Sequence, residues 1–254
     1  MTLPRTPSFR LDHHRALVAG ASSGIGLAAA AALAEAGAEV TLVARRKPEL
    51  TALRDAIRAS GGRAEAHPLD ITDLPATAAF VVQHGPFDIL VNAAGLARHA
   101  PATETRPEDY DAAFDLNTRA AYFLVREVAK GLIAARKPGS LITVSSQMGH
   151  VGGPDRAVYA ATKHALEGMT KSVAIEWGRH GIRVNTICPT FIRTPLAEQT
   201  LRNPERRAWI EQRIKLGRVG EVEDIMGAVV FLASDASALV TGSALMIDGG
   251  WTAE

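Results

Sequence analysis

Short apolar runs with strand character recur along almost the whole chain, separated by stretches with a helical pattern. The runs are ALVA (16–19), EVTLVA (39–44), RAEAHPL (63–69), FDILVN (87–92), SLITVS (140–145), IRVNTI (182–187) and ALMI (244–247). They read as apolar throughout rather than alternating, as strands covered on both faces do. Stretches such as GLAAAAALAEAG and KPELTALRDAIRAS between them suit helices. Strand, helix, strand repetition of this kind dictates one parallel sheet, and right-handed crossovers put helices on both of its faces. The expected fold is therefore α/β: a doubly wound parallel sheet in a single domain spanning 1–254.

Two helical stretches are long, about 107–134 and about 156–178. Phe114, Tyr122, Phe123, Leu124 and Val128 mark an apolar face of the first, and Ala161, Ala165, Leu166, Met169 and Val173 mark one of the second. Such faces cover either a core or a second subunit. From 190 to 220 the pattern loosens, with prolines at 195 and 204 and a dense charge cluster, which predicts a mobile surface element able to act as a lid. A helix over about 222–233 precedes the last run.

At 254 residues the chain can bury a large core. Its 28 basic and 27 acidic side chains leave a net charge of +1, without the broad basic footprint of a nucleic-acid or anionic-membrane binder. The opening MTLPRTPSFRLDHHR lacks a signal-peptide core, and no run reaches the roughly 18 apolar residues of a membrane span. Cys188 is the single cysteine, so neither an intramolecular disulfide nor a multi-cysteine metal site can form. These features predict a soluble cytoplasmic protein that acts on a small molecule without a metal.

VAGASSGIG, residues 18–26, joins the first apolar run to an alanine-rich helix. A glycine turn at that junction offers backbone N–H groups and a helix dipole to a phosphate, though its G-x-x-x-G-x-G spacing also suits a plain tight turn. The loop residues are Gly20, Ser22, Ser23, Gly24, Ile25 and Gly26. After the second run a carboxylate would select the ribose hydroxyl of NAD(H); here Ala44 is followed by Arg45 and Arg46, which can hold a 2′-phosphate. That favours NADP(H), with NAD(H) as the alternative. Asp70 and Ile71 end the third run, and Asn92, Ala93 and Gly95 follow the fourth at the same sheet edge.

Tyr159 and Lys163 lie four apart near the start of a helix and so share a face, where a cation can favour the phenolate. Ser146 closes the fifth run at the same edge, and a hydroxyl there can bond a substrate oxygen. Asn117 sits inside the first long helix, although asparagine is a mediocre helix former.

GASSGIG, LDIT, NAAG, the Asn117 helix, Ser146, YAATK, RVNTICP and MIDGG occur in the order that marks short-chain dehydrogenases/reductases, which the chain resembles along essentially its full length. The resemblance implies a Rossmann-type sheet of about seven strands and a homotetramer. It implies that Tyr159 exchanges a proton with the substrate oxygen of a secondary alcohol or ketone, on a sugar, polyol, hydroxy acid or 3-oxoacyl compound; the alternative is a dinucleotide-binding sensor or scaffold that keeps the fold without catalysis. Lys163 would hold the nicotinamide ribose and lower the phenol's pKa, Ser146 would polarise the substrate, and Asn117 would help hold a water in a proton relay. Pro189, Thr190, Ile192 and Thr194 would flank the nicotinamide.

Three positions depart from the family pattern: Ala19 lacks the usual loop hydroxyl, Ala93 replaces a second asparagine, and Thr190 replaces a glycine. Gln147, His150 and Phe191 are expected on the substrate side. Arg193 could meet an anionic substrate or stay in solvent.

Overall fold

A computed structural model describes residues 1–253. Seven strands form one parallel sheet in the order β3-β2-β1-β4-β5-β6-β7. They are β1 (Arg15–Ala19), β2 (Glu39–Ala44), β3 (Arg63–Pro68), β4 (Ile89–Asn92), β5 (Gly139–Val144), β6 (Ile182–Pro189) and β7 (Ala244–Ile247). In chain order the helices are α1 (Gly24–Glu35), α2 (Lys47–Ala59), α3 (Leu74–His84), α4 (Pro107–Phe114), α5 (Ala121–Ala135), α6 (Ala157–Trp177), α7 (Pro195–Leu201), α8 (Pro204–Arg213) and α9 (Glu223–Ala233).

The strands are doubly covered, as their composition predicts. Ala16 and Val18 of β1 pack with Leu33 of α1, Leu53 of α2 and Val229 of α9 on one face. Leu17 and Ala19 point the other way, into a cluster with Val81 of α3, Leu132 of α5 and Val173 of α6. Side chains alternate between the two faces, and both faces are core. β3 departs from this: of its residues only Ala64 is fully buried, as suits an edge strand whose hydrogen-bonded neighbour is β2.

The first long helix is not regular. One turn of π-helix over Asp115–Ala120 separates α4 from α5. Leu124 and Val128 are buried, whereas Tyr122 is exposed and Phe114 and Phe123 are half-buried, so the apolar face read from the sequence is split between core and surface. In α6, Leu166 and Val173 are buried, but Ala161 is exposed.

The 190–220 segment is more ordered than its composition suggests. It holds α7 and α8, capped by Thr194 and Asn203. Leu201, Ile210, Ile214 and Val219 pack with Met148, Ala160 and Trp251 in a third apolar cluster over the C-terminal edge of the sheet.

Candidate active site

The winding of the sheet reverses between β1 and β4, and a crevice opens beyond their C-terminal ends, where open α/β sheets bind ligands. Gly20 leaves β1 at φ +78°; a Cβ there would stand 2.7 Å from the Ala94 nitrogen. Gly26 is tighter still, since a Cβ would lie 2.2 Å from the Gly20 carbonyl oxygen. The loop and the first turn of α1 therefore close on each other as bare backbone.

Asp73, Thr194 and Asn203 cap α3, α7 and α8 with side-chain bonds, whereas Ser23 at the N-cap of α1 makes none. The first turn of α1 also contains no acid. Its leading N–H groups line the crevice without a side-chain partner, as a phosphate site requires. Ser22 and Ser23 instead accept bonds from Arg46 Nη2, at 2.9 and 2.7 Å, while Arg46 Nη1 donates to Glu49 at 3.2 Å. Arg45 lies exposed along the same crevice.

Asp70 accepts from the Thr72 nitrogen and hydroxyl at 3.0 and 2.8 Å, with Ile71 buried beside it. Asn92 Oδ1 accepts from the Ala94 nitrogen at 3.2 Å, which holds the turn that leads through Ala93 to Gly95. Backbone cradle, uncapped helix and guanidinium together fit a dinucleotide with a 2′-phosphate.

A second pocket continues from this crevice along Gly95, Ser146, Tyr159, Lys163, Pro189 and Ile192. Ser146 Oγ accepts from the Met148 nitrogen at 3.1 Å and lines the pocket beside Tyr159. Lys163 is buried; its Nζ donates to the Val144 carbonyl at 3.0 Å and lies 5.6 Å from the Tyr159 ring centre. Asn117, 1 % exposed, sits in the π turn. Its Oδ1 accepts from the Leu96 nitrogen at 2.9 Å, and its Nδ2 donates to the Leu96 carbonyl at 2.9 Å and to Thr162 Oγ1 at 3.2 Å. Asn117 thus ties the loop after β4 to α6.

Burial raises the Tyr159 phenol above its ordinary value, opposed by the neighbouring Ser146 hydroxyl and by the positive charge of Arg156. Burial pulls Lys163 down to about 8. Arg156 is a cation that the sequence reading did not place near the phenol, in addition to Lys163.

A family model described as enoyl-(acyl carrier protein) reductase matches residues 20–252. Gluconate 5-dehydrogenase of Gluconobacter oxydans is 40% identical over 248 residues, covering 96% of both chains. L-xylulose reductase of Bos taurus is 41% identical over 244 residues, 96% of this chain and 98% of its own. The chain belongs to the short-chain dehydrogenase/reductase family. The crystal structure of a gluconate 5-dehydrogenase from Burkholderia cenocepacia, in complex with NADP and tartrate, matches with a TM-score of 0.93 at 35% identity, covering 97% of this chain and 98% of that one.

The substrate side of this short-chain dehydrogenase/reductase is where sequence and structure diverge most. Gln147 is buried in the pocket wall with Oε1 unpartnered, and Thr190 presents an equally unpartnered Oγ1. Phe191 lines the pocket and lies 6.0 Å from Trp251, centre to centre. Thr194 lines it as well as capping α7.

His150 does not line this pocket. Its Nε2 lies 3.5 Å from Cys188 Sγ and 3.6 Å from the Glu167 carboxylate, which accepts from Thr186 Oγ1 at 2.9 Å. Burial and the Glu167 charge push the Cys188 thiol up to about 12, so it stays protonated and donates to Glu167 at 3.4 Å. These potential metal donors are satisfied as a hydrogen-bond network.

Arg193 pairs with Glu221 at 3.0 Å and Glu198 at 3.8 Å. Sequence reasoning missed Arg156 and His99, which both line the pocket. The available signal was that Arg156 stands three residues before Tyr159, a spacing that shares a helix face.

Proposed function

We propose that the chain is an NADP(H)-preferring oxidoreductase that interconverts a secondary alcohol and its ketone on a small polyhydroxylated compound. The observation that carries this reading is one continuous crevice: Arg46, Ser22 and Ser23 border one end, and Ser146, Tyr159 and Lys163 border the other. The relatives' names point to substrates of this size and polarity, both as sugar acids and as neutral ketoses. The solved gluconate 5-dehydrogenase carries NADP.

In this reading Gly20, Gly24, Gly26 and the first turn of α1 hold the pyrophosphate, and Arg46 with Arg45 holds the 2′-phosphate. Asp70 and Ile71 border the adenine, and Asn92, Ala93 and Gly95 border the nicotinamide side together with Pro189, Thr190, Ile192 and Thr194. A bound nicotinamide supplies the hydride acceptor or donor. Tyr159 takes the proton of the substrate hydroxyl during oxidation and returns it to the carbonyl oxygen during reduction. Ser146 hydrogen-bonds the same oxygen, and Lys163 holds the ribose. Asn117, whose amide is engaged by Leu96, keeps the loop after β4 in place, and Gln147 and Phe191 bound the substrate. The 190–220 segment covers the pocket as a lid.

Exposed Tyr122 on α5 and Ile175 on α6, 37% and 84% accessible, support assembly into a homo-oligomer, the tetramer being the state that sedimentation should detect. A cytoplasmic location fits the single cysteine.

The test is a panel of sugars, polyols and hydroxy acids assayed with both cofactors in wild type and Tyr159→Phe. Turnover should fall by about 10²- to 10⁴-fold, the usual worth of a positioned proton donor, while NADPH affinity changes little. Wild-type turnover in the variant would remove Tyr159 from the mechanism.

A further inference from the structure

The charge inventory of the substrate pocket is one-sided. Among the described residues no aspartate or glutamate lines it, while Arg156 and Lys163 both do. Lys163 gives one of its three donors to the Val144 carbonyl and, in the reading above, its others to the cofactor ribose. Arg156 is half-buried, and no carboxylate among the described residues comes within ion-pair distance of it. The nearest acid in sequence, Asp155, is taken by Arg206 at 3.3 Å.

What Arg156 does touch keeps it in place without neutralising it. Nη1 donates to His99 Nε2 at 2.7 Å, and the guanidinium lies 5.0 Å from the centre of the Phe191 ring. To accept that bond His99 must present a lone pair. It does so as the neutral imidazole, its pKa pulled down to about 4 by burial and by the Arg156 charge. Nη2 and Nε keep their donors for another acceptor.

A half-buried guanidinium without a counter-ion is costly, and an incoming carboxylate offsets that cost with two parallel charge-assisted bonds. A neutral hydroxyl accepts a single bond and leaves the charge uncompensated. The position is also right for chemistry. Arg156 is the N-cap residue of α6, three residues before Tyr159, and the His99 ring meets the Tyr159 ring edge-on at 5.8 Å.

We propose that Arg156, held by His99 and Phe191, is an anion-recognition site, and that the substrate is a short sugar acid whose carboxylate binds there while a hydroxyl-bearing carbon reaches Tyr159. This rests on the oxidoreductase reading above for its chemistry, but not for the anion site itself. Alcohol oxidation of such a compound gives a keto acid: the hydroxyl proton goes to Tyr159 and the hydride to the oxidised cofactor.

The experiment compares aldonates of four to six carbons with the alditols of matched length, in wild type, Arg156→Gln and Arg156→Lys, using NADP⁺. Wild type should favour the aldonate in kcat/KM. In Arg156→Gln the aldonate-to-alditol preference should fall by about 10- to 100-fold, mainly through KM, the range for a lost charge-assisted bond. Arg156→Lys keeps the charge without the planar fork and should recover part of the preference. In parallel, calorimetric titration of gluconate into NADP⁺-loaded Tyr159→Phe measures binding without turnover, and adding Arg156→Gln should weaken it by a similar factor.

Equal loss on both substrate types, or a wild-type preference for alditols, overturns the anion site and leaves the oxidoreductase reading intact. Gluconate binding that depends on Arg156 without turnover of any panel member overturns the oxidoreductase reading and leaves the anion site standing. Gluconate binding that is indifferent to Arg156 overturns the proposal directly.

Discussion

The glycine loop and the substrate end of the crevice share walls at Ile25, Gly95 and Thr194, yet different contacts hold them. The loop is shaped by backbone meeting backbone, Gly26 against Gly20 and Gly20 against Ala94. The substrate end is shaped by side chains from four distant stretches: His99, Arg156, Phe191 and Trp251. Backbone shape tolerates few residues and therefore leaves a local signature in the sequence. A side-chain assembly leaves almost none, because each member is ordinary in its own neighbourhood.

The largest effect is expected of Gly26→Ala. The added Cβ would collide with the Gly20 carbonyl oxygen, so either the loop or α1 must move. Thermal unfolding should show a loss of about 1–3 kcal/mol or more, as overpacking does, and NADPH binding should collapse with it. If the variant bound cofactor normally, the cradle would not depend on backbone contact. Next in size is Arg46→Ala, expected to cut NADPH affinity by about 10- to 100-fold while leaving NADH within a few-fold. Arg45→Ala should do less, because Arg46 is the arginine anchored to Ser22 and Ser23. A reversed order would assign the phosphate to Arg45.

A smaller effect links the substrate end to proton transfer. The phenol must ionise to accept a proton, and burial sets that ionisation above its ordinary value near 10. Alcohol oxidation should therefore rise with pH through the alkaline range. His99 meets the Tyr159 ring edge-on, Lys163 lies 5.6 Å from the ring centre, and the Arg156 charge favours phenolate. Arg156→Gln should move the alkaline limb of kcat/KM to higher pH, and a limb that stays put would separate the two residues. Smallest of all is Arg193→Ala, which removes only solvent-exposed ion pairs: thermal unfolding should barely move, with the aldonate-to-alditol ratio unchanged.

The same contrast explains what could be read from the chain alone. The doubly wound sheet, the glycine loop and the Tyr159–Lys163 face follow from spacing within short segments. Arg193 is the counterexample. As an arginine beside the pocket it suited an anion, but Glu221, far along the chain, occupies it. His150 likewise follows Ser146 closely and still turns to Glu167 and Cys188, whose approach depends on how α6 lies across β6. The order in 190–220 comes from Met148, Ala160 and Trp251, so composition alone suggested mobility.

The π turn over Asp115–Ala120 serves a contact more than it serves packing. A π turn spends one more residue per turn than a regular helix, so the extra residue is absorbed locally and α5 continues in nearly the phase of α4. Deleting one residue there would favour an unbroken helix with Leu124 and Val128 still facing the sheet. The bulge that lets Asn117 reach Leu96 would be gone, and with it the tie between the loop after β4 and α6. A one-residue change at this point would therefore spare the core and be felt at the site.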